Sequence, residues 1–319
     1  MAEKIIDERN SAMKKALLTP VVSLMVLLVA LAATPATAVT FAAGIENSRW
    51  QLSASIFECS LVHPVPGYGR AVFYHRAGEE LEFFLSPRRN PMRPGKAALV
   101  LERPQWGGGQ SVNDLGYVPV EDTHDRPIEL DTAQSARMMA SLRDGMAPTF
   151  TRRARYSDDP VRVRLSHVNF VDQYIEFQDC QSELLPVNFD QVRRTVVLFD
   201  LDERELSDSA REALDLVALY INADQRIEQV FVDGHTDNIG TRLYNRELSR
   251  DRATVVAEYL KAQGVPDEMI VTRYHADRFP VEGYSMPGQR HRRATIRLDR
   301  SGGDEIAPTA LRDDIVIVE

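Results

Sequence analysis

The chain has 319 residues, 44% of them hydrophobic and 27% charged, with 38 Lys and Arg against 47 Asp and Glu for a net charge of −9. These values fit a folded chain of roughly two domains and exclude a largely disordered, collagen-like or polytopic membrane protein. The acidic balance argues against a general nucleic-acid partner, and two cysteines are too few for a disulfide scaffold or a cysteine-rich zinc module.

Residues 1–38 read as a secretory signal peptide. Lys14 and Lys15 precede an uncharged apolar run, Val21 to Ala33, and Ala36-Thr37-Ala38 forms a small-x-small exit. The run has 13 residues, short of the roughly 20 that a spanning helix needs. The alternative is an uncleaved N-terminal anchor. Residues 1–12 look like an extension, which makes Met13 a candidate start. Export would place the chain where disulfides persist, so Cys59 and Cys180 can pair. A loop of that size is expected to contribute roughly 4–5 kcal/mol in the chain-entropy model. The alternative is two buried thiols. Neither cysteine follows the apolar run, so no lipid-attachment signal is read.

From Arg49 to Cys180 the chain reads as short strands. Arg70–Arg76, Glu80–Ser86, Ala97–Arg103 and Val161–Phe170 are rich in β-branched and aromatic residues and are separated by Gly or Pro. Val161, Val163 and Leu165 alternate with polar residues, as in a half-buried antiparallel strand. Asp131 to Arg143 predicts a helix, capped by Asp131 or Thr132 and stopped at Gly145. Gly107-Gly108-Gly109 lies between strands and reads as a loop, not a phosphate cradle. Tyr174, Ile175 and Phe177 are expected to be core. The basic spots Arg88-Arg89 and Arg152-Arg153-Arg155 read as solvated loops or as rim contacts for an acidic protein partner.

After about Pro186 strands and helices alternate. Thr195–Phe199 predicts a strand. Ser207 caps a helix whose Leu214, Val217, Ala218 and Ile221 share a face. Val230–Val232 predicts a strand entering Asp233-Gly234-His235-Thr236-Asp237. A second helix runs from about Thr241 to Gln263 and stops at Gly264, with Pro266 beyond. Met269–Tyr274 and Ala294–Leu298 complete a βαβαββ layout with helices on one face.

The densest chemistry lies between Asp233 and Ala253. Asn238, Ile239 and Gly240 suit a turn before a helix N-terminus, a junction that can hold an anion. Tyr244, Leu248, Val255, Val256, Tyr259 and Leu260 form an apolar stripe, and position 252 falls within it. It is Arg252, and a guanidinium facing a sheet is costly unless paired. Acceptors at the strand end, such as Asp237, are the expected partners. One fixed anion and one fixed cation suit a zwitterionic ligand, with an ammonium on Asp237 and a carboxylate forked on Arg252. The competing reading is a structural salt bridge. His235, His275 and His291 lack metal-ligand spacing, so no metal and no cofactor are expected. Asp233 and Asp237 would be the carboxylate pair of a hydrolase, but no nucleophile motif accompanies them, and no enzyme activity is expected.

Gly234-His235-Thr236-Asp237, Gly240, Tyr244-Asn245, Leu248-Ser249, Arg252-Ala253, Gly288 and Arg292-Arg293 resemble the OmpA-like peptidoglycan-binding domain over roughly 190–300. The resemblance implies binding of the peptidoglycan stem peptide through diaminopimelate, its amino group on Asp237 and its carboxylate on Arg252. Thr236, Asn245 and Leu248 would line the same site. His291 departs from the family, which usually has Asn before its Arg pair.

The first half has a resemblance of its own. Trp50, Ser55–Cys59, Pro66–Gly69, Ser166–Phe170, the Cys180 region and Leu184–Phe189 are similar to the MotY family of flagellar motor proteins. That family implies a periplasmic ring at the flagellar basal body that supports stator assembly. The alternative is a general cell-wall anchor without a motor role.

The expected fold class is α+β. A β-barrel-like domain with one or two helices spans 39–188, an OmpA-like α/β sandwich spans 189–300, and a flexible tail follows from 301 to 319.

Overall fold

A computed structural model describes residues 38–103 and 113–301. The expectations for a signal peptide, for a loop at Gly107-Gly108-Gly109 and for the C-terminal tail fall outside these ranges.

The first half contains ten strands and two helices among the described residues. In chain order these are β1 (Val39–Ala42), β2 (Gln51–Ala54), β3 (Glu58–Val65), β4 (Gly69–Arg76), β5 (Glu82–Pro87), β6 (Gly95–Glu102), β7 (Asn113–Val120), β8 (Ile128–Leu130), α1 (Thr132–Arg143), β9 (Ala147–Arg153), β10 (Pro160–Arg164) and α2 (Phe170–Glu183). They form two open five-stranded sheets, ordered β1-β10-β9-β6-β7 and β2-β3-β4-β5-β8. The sheets share one apolar core. Leu61, Phe73 and Phe83 come from one sheet and Leu99, Phe150 and Val163 from the other. Phe83 and Phe150 stack across the gap with ring centroids 5.8 Å apart. The barrel-like half expected from the short strands is therefore a pair of facing sheets, not closed on itself among the described residues.

α1 begins where Asp131 accepts a hydrogen bond from the Gln134 backbone N–H at 2.8 Å. It buries Met138, Met139 and Leu142. The strand expected over 161–170 ends at Arg164, and α2 takes over at Phe170. Asn169 breaks the extended chain with a left-handed φ of 61°. Phe170, Phe177 and Cys180 then fall on the buried face of α2, whereas Ile175, expected in the core, is 53% exposed. Cys59 on β3 is bonded to Cys180 on α2. The bridge ties a sheet to a helix, because the Cys180 end of the region expected to be strands is helical.

The second half follows the expected order. α3 (Phe189–Val192) is a single turn before β11 (Arg194–Leu198), α4 (Asp208–Ala223), β12 (Ile227–His235), α5 (Arg242–Ala262), β13 (Ile270–Tyr274) and β14 (Arg293–Arg300). The sheet order is β11-β14-β12-β13, with β12 and β13 parallel. Ser207 caps α4 and Thr241 caps α5, each accepting a backbone N–H. Val230, Val232, Ile296 and Leu298 from the sheet share a core with Leu214, Val217, Val256 and Leu260 from the helices. On the other face Phe231 lies between the guanidinium groups of Arg273 and Arg297, 4.5 and 4.4 Å from its ring centroid.

The halves are in contact. Phe57 packs against the second core, 5.7 Å from the Tyr220 ring. Asn188 donates to the Ala77 carbonyl at 3.1 Å, and Arg76 pairs with Asp190 at 2.6 Å.

Candidate functional site

The site lies where β12 ends and α5 begins. α5 crosses β12 so closely that a Cβ at Gly234 would stand 1.9 Å from the Ser249 carbonyl oxygen. The chain turns at Gly240, whose φ of 101° favours glycine, and enters α5 at the Thr241 cap. Asp237 sits in this turn, 3% exposed. Its Oδ1 accepts the Ile239 N–H at 3.2 Å, and its carbonyl accepts from Asn245 Nδ2 at 3.2 Å. Asn245, one turn into α5, thereby fixes the backbone that presents the carboxylate.

The charge partner of Asp237 is Arg292, with Nη1 2.9 Å from Oδ2. The expected pairing with Arg252 does not form. The Arg252 side chain is buried beneath the turn and donates to three backbone carbonyls: Nε to Glu203 at 2.8 Å, Nη1 to His235 at 3.1 Å and Nη2 to Asp200 at 3.1 Å. Its guanidinium lies over the Phe199 ring, 5.0 Å from the centroid. The helical phase had placed Arg252 against the sheet, and the planar fork meets carbonyl dipoles there instead of a carboxylate. Burial, with Arg292 nearby, lowers its pKa to about 10, so it stays charged at neutral pH. Arg292 reinforces the arrangement by donating Nε to the Phe199 carbonyl at 3.3 Å. Two arginines therefore stitch the segment after β11 to the end of β12.

The other expected site residues collect at the same place. Thr236 is 2% exposed, and its Oγ1 has no hydrogen-bond partner. Leu248 is buried on α5, beside Asn245 and Ser249. Around them Leu201, Ile239 and Tyr244 are exposed. The Tyr244 hydroxyl bonds the Asp202 carboxylate, and Gln289 Nε2 donates to Asp200 Oδ1 at 3.3 Å. His291 is fully buried, accepting the Val281 N–H at Nδ1 and donating from Nε2 to the Ser285 carbonyl, both at 3.1 Å. It holds the 281–288 segment.

Asp233 and Asp237 do not act as a pair. Arg273 and His275 both contact Asp233 at 2.8 Å. Burial pushes the Asp233 carboxyl up, but these two bonds outweigh it and hold the group below the usual carboxylate range. His235 stacks on His275 with centroids 5.1 Å apart, and burial, aided by Arg293, lowers its pKa to about 3. Sequence reasoning missed the contribution of Asp200 and Glu203, which act through backbone carbonyls that any residue possesses. Arg292 was legible as part of a motif but not as the partner of Asp237.

The buried aspartate, the caged arginine and the orphan threonine meet at one strand end of the region, residues 198–294, that matches the OmpA family model. Residues 41–186 match the MotY N-terminal domain, so the chain joins a MotY N-terminal domain to an OmpA family domain. Over 262 residues, 80% of this chain and 89% of the relative, it is 28% identical to a sodium-type flagellar protein MotY of Vibrio parahaemolyticus. Over 101 residues, 31% of this chain, it is 35% identical to outer membrane protein A of Shimwellia blattae, spanning 42% of that protein. Among solved structures, the peptidoglycan-associated lipoprotein of Burkholderia pseudomallei is 27% identical over 33% of this chain and 89% of its own, with a TM-score of 0.31.

Proposed function

We propose that this protein is a periplasmic component of the flagellar motor. Residues 189–300 bind peptidoglycan, and residues 39–188 associate with the basal body, in a ring with other motor proteins, to support stator assembly and torque. The similarity to a sodium-type flagellar protein along most of the chain supports the motor role. The OmpA family match supports wall binding, and neither match points to an enzyme.

The observation that carries the site reading is the orphan Thr236 Oγ1 beside Asp237. A fully buried hydroxyl without a partner is costly, and a ligand hydrogen bond would satisfy it. Asp237 takes the ammonium of diaminopimelate, in exchange with or beside Arg292. Arg252 and Arg292 supply the positive field for its carboxylate, and Asn245 and Leu248 shape the wall. The test is co-sedimentation of the purified protein with peptidoglycan sacculi, alongside motility of a deletion strain. Wild-type protein should pellet and D237N should remain in solution. Normal swimming of the deletion strain would leave a cell-wall anchor without a motor role.

A further inference from the structure

A second groove opens on the other side of the β12 end. It has a volume of about 800 Å³ and is walled by Arg242, Leu243 and Arg246 from α5 and by Tyr274, Asp277 and Arg278 from the end of β13 onward. Its three arginines differ from five others in this half. Arg204, Arg226, Arg273, Arg292 and Arg297 each hold a carboxylate within 3.0 Å. Among the described residues no hydrogen bond or ion pair engages the guanidinium group of Arg242, Arg246 or Arg278; that of Arg246 only rests over the Tyr274 ring, 5.4 Å from its centroid. Asp277 offsets one of the three charges, and His275, also in the wall, has its Nε2 engaged by Asp233. The groove is thus a basic concavity with an aromatic wall, in a chain whose net charge is −9.

Its position says which anion it fits. β14 and β13 lie on either side of β12. Asp237 at the β12 end leans to Arg292, on the β14 side. The groove lies on the β13 side, where the Ala276 carbonyl in its wall accepts the Thr236 N–H at 3.0 Å. Strands lie about 4.8 Å apart, so the two flanks are separated by roughly 10 Å. The diaminopimelate side chain plus one or two extended residues, at roughly 3.5 Å per residue, spans about that distance.

We propose that this groove is a second subsite for peptidoglycan, in which Arg242, Arg246 and Arg278 take a free carboxylate of the same stem peptide, one or two residues from the diaminopimelate held at Asp237. The inference rests on the stem-peptide reading above. Two stem carboxylates meet the distance: that of the γ-linked D-glutamate before diaminopimelate and that of a terminal D-alanine after it.

Calorimetric titration of the full chain with synthetic stem peptides tests this. The peptides are L-Ala-γ-D-Glu-diaminopimelate, the same tripeptide amidated at the glutamate carboxylate, and the tetrapeptide ending in D-alanine. The combined variant R242Q/R246Q/R278Q changes only exposed side chains, and its melting temperature should match wild type. It should bind the tripeptide or the tetrapeptide roughly 10-fold more weakly than wild type does, and less steeply with salt. If the partner is the glutamate, wild type should favour the unmodified tripeptide over the amidated one and the variant should not. If the partner is the D-alanine, the preference to be lost is that for the tetrapeptide. D237N weakening every peptide while the triple variant matches wild type on all of them would overturn the groove and leave the stem-peptide reading standing. No binding of any peptide by wild type, or full binding by D237N, would overturn both.

Discussion

The two halves bury their polar groups differently. In the first, the buried polar residues are neutral and scattered: Ser48, Ser60, His63, Asn90, Ser135, Ser141 and Thr149. In the second, His235, Thr236, Asp237, Asn245, Ser249, Arg252 and His291 crowd one end of one sheet, two of them ions, while a third buried ion, Asp224, lies before the start of β12 and is held by Arg226 at 2.7 Å. Burying ions is expensive, and a fold that needs only stability does better with apolar side chains. At the β12 end two ions, Asp237 and Arg252, are buried beside a hydroxyl that has no partner, which is the arrangement the proposed ligand site draws on. Among its described residues the first half has no such cluster, and it is held by a large apolar core and a covalent tie.

That tie should give the largest single effect. Cys59 and Cys180 are 121 residues apart, and closing such a loop is expected to contribute about 4–5 kcal/mol. C59S should lower the denaturation midpoint of the whole protein by a corresponding amount in urea titrations. The contact of Phe57 with the second core predicts that the second half loses some stability too. An unchanged midpoint would mean that the apolar core alone fixes the first half.

Next comes Arg252. R252A leaves the carbonyls of Asp200, Glu203 and His235 without their donor, a loss of about 1–3 kcal/mol for each that stays buried and unsatisfied. R252K should recover only part of it, because one ammonium cannot reproduce three in-plane bonds. Thermal melts of both variants check this. Full recovery by lysine would reduce the role of Arg252 to charge alone.

The first half has its own sensitive polar group. His63 is fully buried, donates Nδ1–H to the Arg49 carbonyl at 2.7 Å, accepts the Ser166 N–H at Nε2 and stacks on Trp50. Burial outweighs the Arg49 bond and lowers its pKa to about 4, so the folded protein holds it neutral. An unfolded His takes up its proton near pH 6.5. Stability is therefore complete above that pH and is lost as pH falls toward 4, by at most about 3 kcal/mol. His235 acts in the same sense down to about pH 3. H63Q should flatten the pH dependence of the midpoint between about 6.5 and 4. An unaltered slope would assign acid sensitivity to the second half.

How far the sequence revealed this contrast depended on where the signals were local. The second half was legible because its punctuation is local: Ser207 and Thr241 cap helices, Gly264 ends one with φ 93°, and α4 and α5 carry apolar stripes. The burial of Arg252 followed from the same periodicity. In the first half, Phe170, Tyr174, Phe177 and Cys180 recur at helical spacing, but they follow directly on a strand of alternating valines, and their aromatic content favours β structure. Asn169, the break between the two, carries no Gly or Pro signal. The acceptors around Arg252 were not legible, since backbone carbonyls about 50 residues away leave no mark in side-chain chemistry.

Asp237 should give the smallest effect on stability and the most informative one on binding. Its carboxylate bonds Arg292 and the Ile239 N–H at a site close to the surface turn. D237N keeps an acceptor for Ile239 and removes the charge, leaving Arg292 to the Phe199 carbonyl. The fold should therefore tolerate it with a modest fall in melting temperature. The ammonium of a zwitterionic ligand would lose a charge-assisted bond of about 1.5–3 kcal/mol, so affinity for sacculi should drop roughly 10-fold to 150-fold. R292Q separates the alternatives. If Arg292 only neutralises Asp237, removing it frees the carboxylate and strengthens ammonium binding. If Arg292 also contacts the ligand carboxylate, affinity falls as it does in D237N. Should D237N lower the melting temperature while sacculus binding by the folded protein is intact, the Asp237–Arg292 pair is structural and the ligand site lies elsewhere.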